Sequence, residues 1–227
     1  MCALGEIKFT DRLGDGNGRR VTRELLRDTV NALFQISEDF HNHEKYLPLC
    51  YKERQFLPLF GAALSAVTPV FLGEAPVKRR EDNRRSDGGK GWVDYWVKHR
   101  NSTYFIEIKH GYMACRSANA NALQEKWGTA NQQLHSSKKD LRDKWNSTEN
   151  MFRISLLIVP FYAAATKTYK KHISLDAIRK CDEELRSLKP TPDWSALCVM
   201  SEQFCGPYEY PTSREYHPAI GVYAHIS

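Results

Sequence analysis

Asp94, Glu107 and Lys109 have the residue types and the spacing for metal-assisted attack of water on a phosphate. Trp92 to Lys98 alternates in character as a strand does, and so does Thr103 to Lys109. The short turn His99-Arg100-Asn101-Ser102 joins them, which predicts a β-hairpin. Strand alternation sends Trp92, Asp94 and Trp96 to one face and Val93, Tyr95 and Val97 to the other. On the second strand Phe105, Glu107 and Lys109 share a face, while Tyr104, Ile106 and Ile108 share its opposite. A turn centred between Arg100 and Asn101 then sets Trp96 across from Phe105, Asp94 across from Glu107 and Trp92 across from Lys109. Two carboxylates so paired have Cβ atoms about 4.5–5.5 Å apart and repel each other. A divalent cation between them turns the repulsion into ligation. Lys109 brings an ammonium that can hold or help deprotonate a water and stabilise charge on a phosphate. The aromatic neighbours Trp92, Trp96 and Phe105 argue against a hairpin face turned wholly to solvent.

The elements that must position this hairpin follow from periodicity. A helix is expected from Thr22, a candidate N-cap, with Leu26, Val30, Leu33, Ser37 and Phe40 at helical spacing. A second helical stretch runs from about Glu44 to Ser65, with bends expected at Pro48 or Pro58, and Glu53 lies in it. Val70-Phe71-Leu72 opens a strand towards Val77. The polar loop 78–91 follows, then the hairpin. A long helix from about Asn119 to Trp145 carries the apolar stripe Leu123, Trp127, Ala130, Leu134 and Leu141. Phe152 to Phe161 is apolar enough for a buried central strand. Ser174 to Leu188 reads as a helix, Ala196 to Met200 as a strand, Gly206 to Pro218 as a connection, and Ile220 to Ile226 as a short last strand. A hairpin combined with crossover helices implies an α/β fold: a single mixed sheet with an antiparallel hairpin, flanked by helices on both faces. Residues 1–227 read as one domain, with an irregular, Gly- and Asp-rich N-terminal arm at 1–20.

Val93-Asp94 on one strand and Glu107-Ile108-Lys109 on the next resemble the PD-(D/E)xK nuclease superfamily, the restriction-endonuclease-like fold. Val93 stands where the motif has its proline. The resemblance covers roughly Glu53 to Phe161 and implies that Asp94 and Glu107 bind Mg²⁺, with Mn²⁺ as a substitute. It implies that Ile108 lends its backbone carbonyl to the metal and that Lys109 positions the attacking water. The family often adds an acid from a preceding helix, for which Glu53 is suitably placed and Glu74 competes. It often adds a Gln from the following helix; of Gln124, Gln132 and Gln133, the last is favoured. The implied activity is hydrolysis of phosphodiester bonds in nucleic acid, DNA more than RNA. The alternative is a catalytically inactive protein of the same fold that binds nucleic acid or another protein. Many such nucleases dimerise to cut both strands, but no segment here is diagnostic of a homodimer interface. The tripeptide alone carries little, since Glu6-Ile7-Lys8 also fits it, without an upstream acid or a paired strand.

The rest of the composition agrees. The net charge is +6, which favours a polyanionic partner. Lys78, Arg79, Arg80, Arg84, Arg85 and Lys90 crowd the loop before the hairpin and are the expected phosphate contacts. The six cysteines show no Cys-x-x-Cys or zinc spacing, and the start lacks the pattern of a signal peptide, so a cytoplasmic protein with reduced thiols is expected. No apolar run reaches the roughly 18–20 residues that would cross a membrane. His41 and His43, two residues apart on a helix, do not share a face and make a poor metal pair. The glycines at 14, 16 and 18 are not followed by the Gly-Lys-Ser/Thr of a phosphate loop.

Overall fold

A computed structural model describes all residues except 1–3, 17, 80–88, 145–149, 166–172 and 212. In chain order the elements are β1 (Gly5–Asp11), α1 (Arg19–Glu44), α2 (Glu53–Val67), β2 (Phe71–Arg79), β3 (Gly89–His99), β4 (Ser102–His110), β5 (Met113–Ala114), α3 (Asn121–Lys144), β6 (Asn150–Ala164), α4 (Leu175–Arg186), β7 (Trp194–Met200), β8 (Tyr208–Glu209) and β9 (Arg214–Ile226). Among the described residues the nine strands form one sheet ordered β1-β7-β9-β6-β4-β3-β2, with β5 beside β6 and β8 beside β9. The sheet is mixed: β4 and β6 run parallel, while the β2–β3, β3–β4, β6–β9, β7–β9 and β1–β7 pairs are antiparallel. Helices α1 and α2 cover one face and α3 and α4 the other. The expected architecture of a mixed sheet between two helical layers is therefore what the chain adopts. No helix among the described residues is long and apolar enough to cross a membrane.

Helix α1 begins three residues before Thr22. Its N-cap is Gly18, at φ 78°, where an added Cβ would lie 2.6 Å from the Phe152 ring. Thr22 instead sits inside the helix and donates its hydroxyl to the Gly18 carbonyl at 2.9 Å. Leu26, Val30, Leu33 and Ser37 are buried as expected, but Phe40 is 39% exposed. The single helix expected over 44–65 is two pieces. Lys45, at φ 60°, caps α1, a 3-10 turn at Pro48–Cys50 follows, and α2 restarts at Glu53. Pro58 is carried inside α2.

Three other expectations are corrected. The arm at 1–20 is not irregular throughout: Gly5–Asp11 pairs along β7, and Ile7 and Phe9 pack on the core. Loop 78–91 is shorter, because Lys78 pairs with Lys90 and Arg79 with Gly89 in the β2–β3 ladder. The last strand is not short but spans Arg214–Ile226 between β6 and β7. Pro218, which lacks a donor, sits where the β6–β9 register shifts and no ladder bond is needed from it.

Helix α3 is as expected from its stripe, and Leu123, Trp127, Ala130, Leu134 and Leu141 are all buried. Each fully buried Leu contributes roughly 1.5–3 kcal/mol. Its N-terminal half is tied down by two contacts to the segment after α4: the Trp127 indole donates to the Pro190 carbonyl at 2.7 Å, and the Gln124 amide bonds both backbone groups of Lys189. This fixes α3 across β6 and β4, the strand that carries Glu107 and Lys109.

Candidate active site

The β3–β4 hairpin has the expected register, from His99 opposite Ser102 to Trp96 opposite Phe105 and Tyr95 opposite Ile106. The ladder then stops, one rung short of Asp94 and Glu107. The cause lies one strand over. Glu74 of β2 adopts φ 53°, and the β2–β3 ladder skips it between Gly73–Tyr95 and Ala75–Val93. A left-handed residue bends its strand, and β3 bends with it. Tyr95 and Val97 stay in the core under α1 and α2, but Val93 packs with Phe105, Leu134 and Leu141 under α3. Simple alternation, which put Val93 and Tyr95 on one face, fails at Asp94. Trp92 is also turned out, 58% exposed.

Where β3 leaves, the edge of β4 needs other partners. Alternate residues of a strand direct both backbone groups to the same edge. Ile106, Ile108 and His110 therefore face β3, while Glu107 and Lys109 direct their backbone to β6. Two carboxylates take over. Asp94 Oδ2 accepts from the Ile108 amide at 2.6 Å, and Glu53 Oε2, from the first turn of α2, accepts from the His110 amide at 3.2 Å. The Ile108 carbonyl opens onto the same edge.

Glu107 lies under α3 and is paired with Lys109 at 2.9 Å. The side chains are 3% and 17% exposed. The other Glu-Ile-Lys of the chain makes a useful contrast: Glu6 and Lys8 also pair on a strand, at 3.5 Å, but are 72% and 61% exposed. A buried pair costs desolvation that a surface pair does not. The same three residues thus do different things in the two strands.

The other expected residues fall as follows. Gln133 stands on α3 with Oε1 buried and no hydrogen-bond partner among the described residues. Gln132 is exposed, and Gln124 is committed to Lys189. Glu74 is exposed on β2 and, among the described residues, makes no bond to the β4 edge that parallels those of Asp94 and Glu53. Lys78 is exposed on β2 and pairs in the ladder with Lys90, and Arg79 pairs with Gly89. Arg80, Arg84 and Arg85 lie outside the described residues.

Two further residues join the group. Lys126 of α3 donates from Nζ to the His110 carbonyl at 2.6 Å. It precedes Gln133 by two helical turns on one face, the signal that would have found it. His110 is buried, with Nε2 3.1 Å from the Leu49 carbonyl, and burial lowers its pKa so that the ring is neutral.

Carboxylate and carbonyl oxygens are the donors that Mg²⁺ takes, and Asp94, Glu107 and Ile108 supply both kinds. Among the described residues no three His, Cys, Asp or Glu side chains are clustered closely enough to hold a metal by themselves. An ion held by Asp94, Glu107 and the Ile108 carbonyl would have to keep several of its waters, as Mg²⁺ does where few protein ligands reach it. No family model, no curated protein and no solved structure matches this chain.

Proposed function

We propose that the protein is a Mg²⁺-dependent nuclease that hydrolyses phosphodiester bonds, with DNA as the preferred substrate. The observation that carries this reading is that Asp94 and Glu53 bond the Ile108 and His110 amides at the end of β4, the strand that holds the buried Glu107–Lys109 pair, beside an edge that β3 has vacated. The proposed ligands are Asp94, Glu107 and the Ile108 carbonyl. When bound, the metal activates water and neutralises charge on the phosphate. Lys109 holds that water and the phosphate oxygen it approaches. Glu53 fixes the end of β4 against α2. Gln133 has a buried amide oxygen to offer the same water. The net charge of +6 favours a nucleic acid over a neutral ester. The exposed Lys78, with Arg79, Arg80, Arg84, Arg85 and Lys90, supplies the backbone contacts. Its place in this reading is the cytoplasm, where its thiols remain reduced, and a homodimer would let it cut both strands.

The second reading is an inert member of the same fold. It is favoured by the hydrogen bonds Asp94 and Glu53 already make to backbone amides, which give both carboxylates a structural use. Incubating the protein with supercoiled plasmid and end-labelled single strands, in Mg²⁺, Mn²⁺ or chelator, separates the two. The nuclease reading expects cleavage that stops with chelator and with Glu107→Gln. Intact substrate in both metals would leave the inert reading.

A further inference from the structure

Beyond the carboxyl ends of β4 and β6 lies a cavity of about 270 Å³ lined by Cys50, Tyr112, Tyr162, Tyr210 and Glu215. Its walls are held in place. The Tyr112 hydroxyl donates to the Cys50 carbonyl at 2.9 Å, and the Tyr112 ring meets Tyr162 edge-on with centroids 6.5 Å apart. The Tyr210 hydroxyl is 3.1 Å from His217 Nε2, and Glu215 Oε1 accepts from the Ser213 hydroxyl at 2.8 Å. Tyr162 owes its position to a bulge: the β6–β9 register moves from Phe161–Ala219 to Ala163–Tyr216, leaving His217 and Pro218 across from it. Such bulges re-aim side chains beside functional sites. Burial pushes the Tyr112 phenol up to about 12 and that of Tyr210 upward too, so both rings are neutral. Burial lowers His217 to about 4, so it adds no positive charge beside Glu215 at neutral pH.

The cavity adjoins the candidate active site. Tyr112 follows His110 by two residues and packs edge-on against its ring at 5.0 Å, while the His110 amide holds Glu53. Cys50 precedes Glu53 by three residues. β4 and β6 are a parallel pair, and ligands gather beyond the carboxyl ends of such strands.

We propose that this cavity receives one unpaired nucleobase bearing an exocyclic amine, from the strand whose phosphate is cut at Asp94, Glu107 and Lys109. The assignment rests on the nuclease reading and narrows it to single-stranded, frayed or flipped substrates. Tyrosine faces stack on bases of any sequence, and a space this size takes one base rather than a pair. The Glu215 carboxylate accepts hydrogen bonds, so it selects a base with an exocyclic amine to donate, as cytosine has at N4, adenine at N6 and guanine at N2. Thymine has no exocyclic amine and offers only the single N–H of its ring. A base inside a duplex cannot enter without leaving its stack. Three tyrosines and a carboxylate also suit a quaternary ammonium, which the test must separate.

The test uses the full chain carrying Asp94→Asn, so that binding is read apart from cleavage. It is titrated calorimetrically with dCMP, dAMP and dTMP, and separately with tetramethylammonium. The expected result is binding of dCMP and dAMP about tenfold or more tighter than dTMP, a preference that Glu215→Gln removes. Tyr162→Leu should weaken all three about tenfold or more at an unchanged melting temperature. Saturation-transfer NMR on the parent Asp94→Asn chain should show base protons against tyrosine rings, an answer that does not depend on a cavity variant folding. No mononucleotide binding from a protein whose wild type cuts DNA overturns the cavity and leaves the nuclease reading standing. Mononucleotide binding with the expected preference, from a wild type that never cuts, supports the cavity and overturns the nuclease reading. Tetramethylammonium that binds and displaces dCMP overturns the assignment in favour of a cation site.

Discussion

The Asp94 carboxylate accepts a hydrogen bond of 2.6 Å from the Ile108 amide, and so replaces the strand partner that β3 withdraws after Tyr95. A buried amide left unpaired would cost about 1–3 kcal/mol, so the arrangement ties the aspartate to the Glu107-Ile108-Lys109 segment. It also sets the distance between the Asp94 oxygens and the Ile108 carbonyl, two of the proposed metal ligands. Glu53 repeats the device two residues further on at His110. The edge of β4 is closed there by carboxylates rather than by another strand.

Lys109→Met tests the buried pair. Glu107, with 3% of its side chain exposed, would lose its cation at 2.9 Å. The residual exposure of Lys109 moderates the cost, so a loss of about 1–3 kcal/mol in urea is expected without metal, below the usual range for a broken buried pair. Saturating Mg²⁺ should stabilise the variant about as much as wild type, since ligation rests on the carboxylates. Cleavage should fall by two or more orders of magnitude while metal affinity stays near wild type. A variant that cuts as fast as wild type would show that Lys109 has no catalytic role.

The hairpin was legible because its register follows from the turn and from aromatic alternation, and Trp96–Phe105 pair as those signals require. The α3 stripe was legible for the same reason, since five buried residues recur at one period. Asp94 was harder: its rung is lost to the left-handed backbone of Glu74 on another strand, and no local pattern in 92–98 reports that bend. Glu53 was placed on its helix, but only the folded chain shows that α2 starts against His110 while Glu74 stays exposed. β1 was hidden in plain alternation, with Ile7 and Phe9 between polar neighbours, because the glycines that follow dominated the reading. The tyrosine cavity draws on residues from 50 to 215, which only the folded chain brings together.

His217 gives a pH dependence with a defined sign. Its folded pKa is lowered by burial to about 4 from an ordinary 6.5. The unfolded chain then binds the extra proton first, so this contribution is complete above pH 6.5 and is lost as pH falls from there towards 4. Full linkage would amount to about 3 kcal/mol. Melting temperature should decline over that window in wild type and more weakly in His217→Gln. Parallel curves for the two proteins would assign the acid sensitivity to other groups, such as His110, whose pKa is lowered in the same direction.

Replacing Arg79, Arg80, Arg84 and Arg85 with Gln should weaken binding to a short duplex or single strand and reduce its salt dependence. Each phosphate that is no longer neutralised lowers the slope of log K against log salt by about 0.7–0.9. Binding measured at several salt concentrations checks this. A slope equal to that of wild type would remove these arginines from the substrate path.

Asp94→Asn separates a metal site from a structural aspartate. Asparagine keeps the size of the side chain and an oxygen that can still accept from the Ile108 amide, so the strand edge stays closed. The variant should therefore melt within a few degrees of wild type in chelator. With millimolar Mg²⁺, wild type should gain melting temperature, as any ligand of the folded state provides. The variant should gain little, because it has lost a hard anionic oxygen. Its cleavage should vanish although its fold persists. A variant that is strongly destabilised in chelator would show that the Ile108 bond needs the full charge and that Asp94 is chiefly structural. Equal metal responses and equal cleavage in the two proteins would move the metal away from β4 altogether.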